Sequence, residues 1–118
     1  MKNLLVFLLL SAFVSACSQS KSKYITELSR EDVETGVLLD VRTPREYNSG
    51  HIDEAINIDW LGKGFIEKAQ ALDKDKPVFV YCKKGGRSAE AARVLDSLGF
   101  KKVVDLKGGY DAYKAEAK

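Results

Sequence analysis

Short apolar runs alternate with amphipathic segments along this chain. Residues 37–41 and 78–81 are almost wholly apolar, and each run follows a glycine or a proline, which is typical of buried strands. Residues 24–25, 55–58 and 103–105 are shorter strand candidates. The pattern therefore predicts a sheet of about five strands.

The segments between these runs carry helix signals. Ser29 and Thr43 are N-cap candidates, and Thr43 is followed by Pro44 at the first helical position and Glu46 at the third. Residues 60–72 also predict a helix, despite two glycines near its start. A further helix is predicted by apolar residues on one face: Ala91, Val94, Leu95 and Leu98.

Strands that alternate with helices favour parallel pairing, with helices on both faces of the sheet. The sequence thus predicts an α/β fold with a mainly parallel sheet. In such sheets, sites form beyond the carboxyl ends of the strands. Asp40, Cys82 and Asp105 are all predicted to lie at those ends, so we expect them to share one working edge.

The N-terminal residues are typical of an export signal. An apolar run from Leu4 to Val14 follows Lys2, and it is shorter than the roughly 20 residues that a membrane span needs. Residues 1–16 are therefore predicted to be a signal peptide. The motif ending in Ser15-Ala16-Cys17 resembles the lipobox of bacterial lipoproteins. An ordinary secretory signal, or a disulfide role for Cys17, is the alternative.

The lipobox resemblance implies cleavage before Cys17 and attachment of lipid to that residue, which anchors a protein to a membrane. We then expect an exported protein facing the periplasm or the cell exterior. Residues 17–23 are polar after the cysteine and are predicted to form a flexible tether. Residues 24–118 are predicted to form a single domain with one modest core.

Composition narrows the possible functions. The net charge is only +2 and the basic residues are spread along the chain, so we expect no nucleic-acid partner. If Cys17 carries lipid, Cys82 is the remaining thiol, and it is either reactive or buried and inert. One histidine and one cysteine are too few for a structural zinc site. We expect no metal, no cofactor and a monomeric protein.

Cys82 lies between a predicted strand and a glycine-rich basic turn. A lone cysteine at a strand end is most often a small buried apolar residue. Here, however, the unpaired N–H groups at the start of the next helix, together with the helix dipole, favour an anion such as a thiolate. The basic side chains add positive charge, and the two glycines let the backbone curl around a group on the sulfur.

Three sets of residues resemble the rhodanese family of sulfurtransferases over nearly all of the predicted domain. The first set is Asp40-Val41-Arg42, Glu46-Tyr47, Gly50-His51-Ile52, Ala55 and Asn57. The second is the loop from Cys82 to Ser88. The third is Gly108-Gly109-Tyr110, after which Tyr113 stands where the family usually has tryptophan.

This resemblance implies a rhodanese-like domain and a two-step reaction. The Cys82 thiolate would attack a sulfane sulfur, as in thiosulfate or a persulfide donor, and form a persulfide. A thiophilic acceptor such as cyanide or a thiol would then take that sulfur. Arg87, with Lys83 or Lys84, would hold the anionic donor. The resemblance assigns binding roles to Lys83, Lys84, Gly85, Gly86, Arg87 and Ser88.

Other residues of the resemblance are expected to act as supports. Arg42 is expected to pair with Glu46 or a neighbouring carboxylate, and Asp40 to support the active loop. Ser88 either accepts a hydrogen bond from the loop or caps the helix. His51 lies in a segment that positions a turn in the family, so we do not expect it to act as a base.

Two other function classes remain open at this point. Dual-specificity phosphatases and some arsenate reductases share this fold, but they place arginine six positions after the cysteine, where this chain has Ser88. Arg87 comes one position earlier, which favours a loop around a single sulfur. A noncatalytic rhodanese-like binding module is the other alternative. The physiological donor and acceptor are not specified by the sequence.

Overall fold

Five parallel strands form one sheet in the computed structural model of the chain, which describes residues 21–117. The strands are β1 (Lys21–Tyr24), β2 (Val37–Asp40), β3 (Ile56–Asn57), β4 (Val78–Tyr81) and β5 (Val103–Lys107). Their order across the sheet is β1-β5-β4-β2-β3, and each neighbouring pair is parallel. The predicted α/β class is confirmed.

Helices connect these strands within the described residues. They are α1 (Arg30–Thr35), α2 (Pro44–Ser49), α3 (Phe65–Gln70), α4 (Gly86–Ser97) and α5 (Gly109–Glu116), with one 3-10 turn at Ile25–Glu27. Reciprocal capping boxes begin two of them, Ser29 with Asp32 at α1 and Thr43 with Glu46 at α2. None of the helices within residues 21–117 is long and apolar enough to cross a bilayer.

The sheet separates two apolar layers, because successive side chains of a strand point to opposite faces. On one face, Val80 and its neighbours pack against α3 and α4. On the other, Phe79 and its neighbours pack against α1, α2 and α5. The predicted placement of helices on both faces is therefore confirmed. Cys82 continues the first layer at the end of β4.

Residues 21–23 belong to the sheet and not to the predicted tether. They pair with β5, with Lys21 opposite Val104. Lys23 forms an ion pair with Asp32, and its Nζ lies 5.3 Å from the centroid of the Phe79 ring. The strand predicted at residues 24–25 therefore begins earlier, at Lys21, and ends at Tyr24. Backbone pairing at a sheet edge does not require an apolar side-chain pattern, so residues 21–23 could not be recognised as part of it. The signal peptide and Cys17 lie outside the described residues.

Candidate active site

Cys82 follows β4 directly, beside the end of β2. Its side chain is buried, with 1% of the residue exposed. The loop that follows is short, because α4 begins at Gly86. Gly85 is the N-cap of this helix, with φ of 135°, a conformation that residues with a side chain rarely adopt. The helix therefore begins close to the sulfur.

The sulfur of Cys82 is held by a backbone amide and a hydroxyl group. The Gly85 N–H donates to Sγ at 3.0 Å. The thiol donates to Ser88 Oγ at 3.5 Å, and the Ser88 hydroxyl donates to the Gly85 carbonyl at 3.1 Å. Ser88 is thus a contact of the sulfur in the first turn of α4, not the cap of the helix.

Further amide groups at the start of α4 remain free of helical partners. The first intrahelical hydrogen bond runs from the Ala89 N–H to the Gly85 carbonyl. The N–H groups of Gly86, Arg87 and Ser88 therefore have no carbonyl one turn back. They lie beside the sulfur-bearing loop, where they favour negative charge.

Helix α5 engages the carbonyl groups on the other side of the loop. The Tyr110 N–H donates to the Cys82 carbonyl at 2.8 Å, and the Asp111 N–H donates to the Lys83 carbonyl at 3.1 Å. This approach requires glycine at residue 109, where φ is 63° and a Cβ would lie 2.4 Å from the Lys83 oxygen. These carbonyls are therefore committed to α5 and do not oppose an anion on the sulfur.

Space is open above the loop. A Cβ built on Gly85 or on Gly86 would meet no heavy atom within 4 Å among the described residues. The surface of the loop is therefore open at these two positions. At Gly85 the backbone conformation favours glycine, because φ is 135°.

Two of the three basic side chains of the loop already have acidic partners. Lys83 Nζ lies 2.8 Å from Asp111 in an exposed pair. Arg87 forms a two-point pair with Glu46, at 2.7 and 3.1 Å. Lys84 is exposed and forms no salt bridge with another described residue. The sequence assigned Arg87 to an anionic donor, and that assignment stays a prediction; in the structure its guanidinium group pairs with Glu46.

The Arg87 hydrogen bonds lower the pKa of Glu46 from 4.5 to about 2, and bonds from Thr43 act in the same direction. Burial of the carboxyl group opposes this shift. The pair joins α2 to the first turn of α4 on the side of the Cys82 loop. Glu46 is therefore charged throughout the physiological pH range.

This lowered pKa predicts an acid-sensitive contribution to stability. Because the pKa is lower in the folded state, the stabilisation is complete above about pH 4.5 and is lost as the pH falls towards 2. We expect the melting temperature of the wild type to fall more steeply between pH 5 and pH 2 than that of Glu46→Gln.

Asp75→Asn is the control for this prediction, because it removes a carboxylate from an exposed pair with Lys101. Its melting temperature should follow the wild-type slope. Equal slopes for Glu46→Gln and the wild type in differential scanning calorimetry would contradict the prediction.

Asp40 and Arg42 form a buried ion pair at the end of β2. Arg42 Nη2 lies 2.7 Å from Asp40 Oδ2, and the same nitrogen donates to the Gly50 carbonyl. Of the partners expected for Arg42, the structure therefore shows a neighbouring carboxylate and not Glu46. The guanidinium group also lies 4.3 Å from the centroid of the Tyr110 ring. The pair therefore supports the loop indirectly, because Arg42 contacts Tyr110 and the Tyr110 N–H donates to the Cys82 carbonyl.

His51 lies in the turn after α2. Its Nδ1 is 2.8 Å from the Tyr47 carbonyl oxygen, and its ring stacks on the Tyr47 ring at 3.7 Å. These contacts fix a turn, and His51 makes no hydrogen bond to Cys82. Within residues 21–117, no cluster of three or more His, Cys, Asp or Glu side chains is placed to hold a metal ion.

Asp105 does not lie at the carboxyl end of its strand, so its predicted position at the working edge is wrong. β5 continues to Lys107, because pairing with β1 extends the strand beyond its apolar run. Asp105 lies opposite Val80 instead. Only 8% of it is exposed, and its Oδ1 has no hydrogen-bond partner among the described residues. Asp40 and Cys82 share the edge as expected.

Comparison with known proteins gives one family. Residues 21–116 match the rhodanese-like domain. The uncharacterized protein YqhL of Bacillus subtilis is 30% identical over 125 residues, which cover all of this chain and 98% of that protein. Thiosulfate sulfurtransferase GlpE of Coxiella burnetii is 40% identical over 79 residues, covering 67% of this chain and 72% of that protein.

Solved structures with the same fold include two from the family. A rhodanese-related protein from Thermoplasma volcanium has a TM-score of 0.71 and 34% identity, covering 81% of this chain and 92% of that one. A rhodanese-like domain protein from Staphylococcus aureus has a TM-score of 0.69 and 27% identity, covering 79% and 90%. These comparisons match the described domain as a whole.

Proposed function

Because this chain belongs to the rhodanese-like domain family, we propose that it is a sulfurtransferase in which Cys82 carries the transferred sulfur. The donor is thiosulfate or a persulfide-type compound, and the acceptor is a thiophile such as cyanide or a thiol. The curated relatives named thiosulfate sulfurtransferase support this class of reaction.

The observation that carries the proposal is the polarity of the groups around the sulfur. The Gly85 N–H donates to Sγ at 3.0 Å, while the carbonyls of Cys82 and Lys83 are held by α5. The sulfur therefore accepts a hydrogen bond from a backbone amide, which stabilises a thiolate or the terminal sulfur of a persulfide. A thiol that served only to fill the core would have no need of this arrangement.

The two steps balance without a cofactor. In the first, the Cys82 thiolate attacks the outer sulfur of thiosulfate, a new S–S bond forms, and sulfite leaves with the electrons of the broken S–S bond. In the second, the acceptor attacks the outer sulfur of the Cys82 persulfide, and the Cys82 thiolate leaves.

Lys84 is the basic residue best placed to meet an anionic donor first, since it is exposed and makes no salt bridge with another described residue. Lys83 could contribute once released from its exposed pair with Asp111. Arg87 would have to exchange Glu46 for the donor. We therefore assign the first contact to Lys84 and propose that Arg87 and Lys83 join it when the donor is bound.

One observation favours sulfur over phosphate or arsenate. The loop from Cys82 to Arg87 is one residue shorter than the phosphatase pattern, which favours a loop around a single sulfur.

The direct test is the intact mass of the protein after incubation with thiosulfate and removal of the excess. We expect the wild type to gain one sulfur atom, to lose it again on addition of cyanide, and the Cys82→Ser variant to gain none. Hydrolysis of an aryl phosphate without this mass change would replace the proposal with phosphatase chemistry. If neither the mass change nor the hydrolysis is observed, a rhodanese-like binding module is the remaining alternative.

The location of the protein is a second part of the proposal. The motif ending at Cys17 supports a lipid-anchored protein on the periplasmic or exterior side of a bacterial membrane. The monomeric state and the absence of a nucleic-acid partner also remain expectations from the sequence.

A further inference from the structure

The strands of the sheet begin at the edge opposite the working edge. Val37, Val78 and Val103 are the first residues of β2, β4 and β5, and they are in register with one another. Lys21, the first residue of β1, is in register with Val104, one residue further along β5. These four strands therefore start at one edge of the sheet, which is termed the amino edge below.

Lysines are concentrated in the segments that form the amino edge. They precede β4 and β5 or begin β1: Lys21, Lys74, Lys76, Lys101 and Lys102. Backbone hydrogen bonds join these segments, because the Lys101 N–H donates to the Lys74 carbonyl at 3.1 Å and the Val78 N–H donates to the Lys102 carbonyl at 2.9 Å. Lys74 is half-buried and the other lysines of the set are exposed. The set therefore lies together at one end of the domain.

Acidic residues at the amino edge balance only part of this positive charge. Asp73 and Asp75 lie in the turn before β4, and Asp75 pairs with Lys101 at 3.1 Å. The helices that end at this edge add Asp96 from α4 and Glu34 from α1, which has an arginine partner on its own helix. The remaining lysines form no salt bridge with another described residue: Lys21, Lys74, Lys76 and Lys102. They are therefore available to an anionic partner.

The position of Cys17 in the sequence limits where a lipid anchor can hold the domain. Three residues separate Cys17 from Lys21. Four residue steps span at most about 14 Å, even when the backbone is fully extended. Because Lys21 begins β1 at the amino edge, lipid on Cys17 would hold this edge close to the bilayer.

The working edge is too distant from Lys21 to rest on the same bilayer without strain on the chain. Tyr24, at the end of β1, is three residues and about 10 Å along the strand from Lys21. Cys82 is level with Tyr24, through the register of β4 with β5 and of β5 with β1, and it lies two strands or about 10 Å across the sheet. The segment from Cys17 would have to run back along the domain at full extension to bring the working edge to the bilayer.

We propose that, in the lipid-anchored protein, the amino edge lies on the surface of an anionic bilayer and the working edge points away from it. This inference rests on the proposed location of the protein, because Cys17 must carry the lipid. The lysines of the amino edge attract the phospholipid headgroups. Since the anchor keeps the lysines near the headgroups, even a weak attraction is sufficient to orient the domain.

This orientation determines the side from which the reactants approach. The Cys82 loop is turned towards the aqueous phase, so the sulfur donor and the acceptor reach it from water. A compound dissolved in the bilayer would meet the opposite end of the domain. The substrates are therefore water-soluble anions, thiols or proteins, and not membrane lipids.

A competing orientation would use exposed apolar residues near the working edge. Leu61 and Ile66 are 69% and 52% exposed, and they lie between the end of β3 and the first turn of α3. If they entered the bilayer, the exposed Lys63 between them would be covered. Lys63 therefore distinguishes the two orientations, because it stays in water when the amino edge lies on the bilayer.

The test is the acetylation rate of each lysine by a water-soluble N-hydroxysuccinimide ester, read by peptide mass. The full chain is expressed in a bacterial host, extracted in detergent and added to vesicles of phosphatidylcholine with about one third phosphatidylglycerol. We expect Lys74, Lys76 and Lys102 to react about threefold or more slowly on these vesicles than in detergent. Lys63 and Lys107, near the working edge, should react equally fast in both and serve as controls within the same molecule.

Two changes of condition test whether charge causes this protection. Vesicles of phosphatidylcholine alone should remove most of it, because they offer no net negative charge. Salt at about 0.5 M should do the same on the anionic vesicles, because it screens exposed charges. Protection that is unchanged under both conditions would overturn the recognition of anionic lipid.

A double variant tests the lysines themselves. Lys76→Gln with Lys102→Gln should reduce the protection of Lys74 and Lys101 by about half or more. The matched control, Lys63→Gln with Lys107→Gln, removes the same charge from the other side of the domain and should keep the wild-type protection. Equal protection in the two double variants would overturn the role of the amino edge.

The other outcomes are also decisive. The intact mass of the extracted protein shows whether Cys17 carries lipid, and an unmodified Cys17 would overturn the proposal. Protection of Lys63 in place of the amino-edge lysines would assign the bilayer to the working edge and overturn it as well. Sulfur transfer is measured separately, by the mass gained at Cys82. If thiosulfate adds no sulfur while the amino edge is protected, the proposed reaction fails and the orientation stands.

Discussion

Replacing Cys82 with serine is expected to abolish thiosulfate:cyanide sulfur transfer and to leave the fold intact. A hydroxyl group is neither ionised at neutral pH nor able to form a persulfide, so turnover should fall to the uncatalysed background. Folding should survive, because the serine hydroxyl can occupy the same place and accept from the Gly85 N–H, which now donates to Sγ at 3.0 Å. We expect the melting temperature to change by only a few degrees.

Steady-state formation of thiocyanate measures the first part of this result, and a thermal melt measures the second. Ser97→Ala is the matched control, since it alters one exposed hydroxyl at the far end of α4. Its turnover should equal that of the wild type. Substantial turnover in a folded Cys82→Ser variant would remove Cys82 from the mechanism.

The second large effect is expected at the buried pair of Asp40 and Arg42. Their side chains are 0% and 4% exposed, and Arg42 contacts Asp40 through its backbone N–H, Nε and Nη2. Asp40→Ala leaves the guanidinium group buried without its counter-charge, which typically costs about 3–5 kcal/mol. We expect the free energy of unfolding, measured by urea denaturation, to fall by an amount in this range.

Two variants make this experiment specific. Glu34→Ala removes the exposed partner of Arg30 and should leave the free energy of unfolding close to the wild-type value. The double variant Asp40→Ala, Arg42→Met removes both buried charges and should be more stable than Asp40→Ala alone. A loss below about 1 kcal/mol for Asp40→Ala would show that water reaches Arg42.

The elements that the sequence predicted best are those with local causes. The N-caps Ser29 and Thr43 are recognised from the few residues that follow each of them, and the structure shows both. The strand before Cys82 is a continuous apolar run because the sheet is covered on both faces. Such features can be found without knowing which segments become neighbours.

The features that the sequence did not predict depend on distant pairing. Residues 21–23 extend the strand predicted at residues 24–25 because they pair with the backbone of β5, and the same pairing lengthens β5 beyond Asp105. Helix α5 also escaped prediction, although its two opening glycines, Gly108 and Gly109, were recognised as a motif. The role of Gly109 is recognised only in the structure, where it allows α5 to approach the backbone of the Cys82 loop.

The candidate site shows the same division. The position of Cys82 and the surrounding amide groups could be predicted, because a strand end, two glycines and a helix start are adjacent in sequence. The partner of Arg87 could not, since Glu46 lies 41 positions away. Asp105 was predicted at the carboxyl end of the correct strand, but the strand continues to Lys107. The end of an apolar run is therefore not the end of the strand.

The hydrogen bonds from Tyr110 and Asp111 to the carbonyls of Cys82 and Lys83 have a consequence for biosynthesis. A ribosome makes the cysteine well before it makes the residues that orient its loop, and β5, which lies between β1 and β4, is also made late. During translation, the Cys82 loop is therefore exposed before α5 can hold it in place. We expect a product that is interrupted or cleaved before α5 to lack an ordered loop around Cys82 and to show no sulfur transfer.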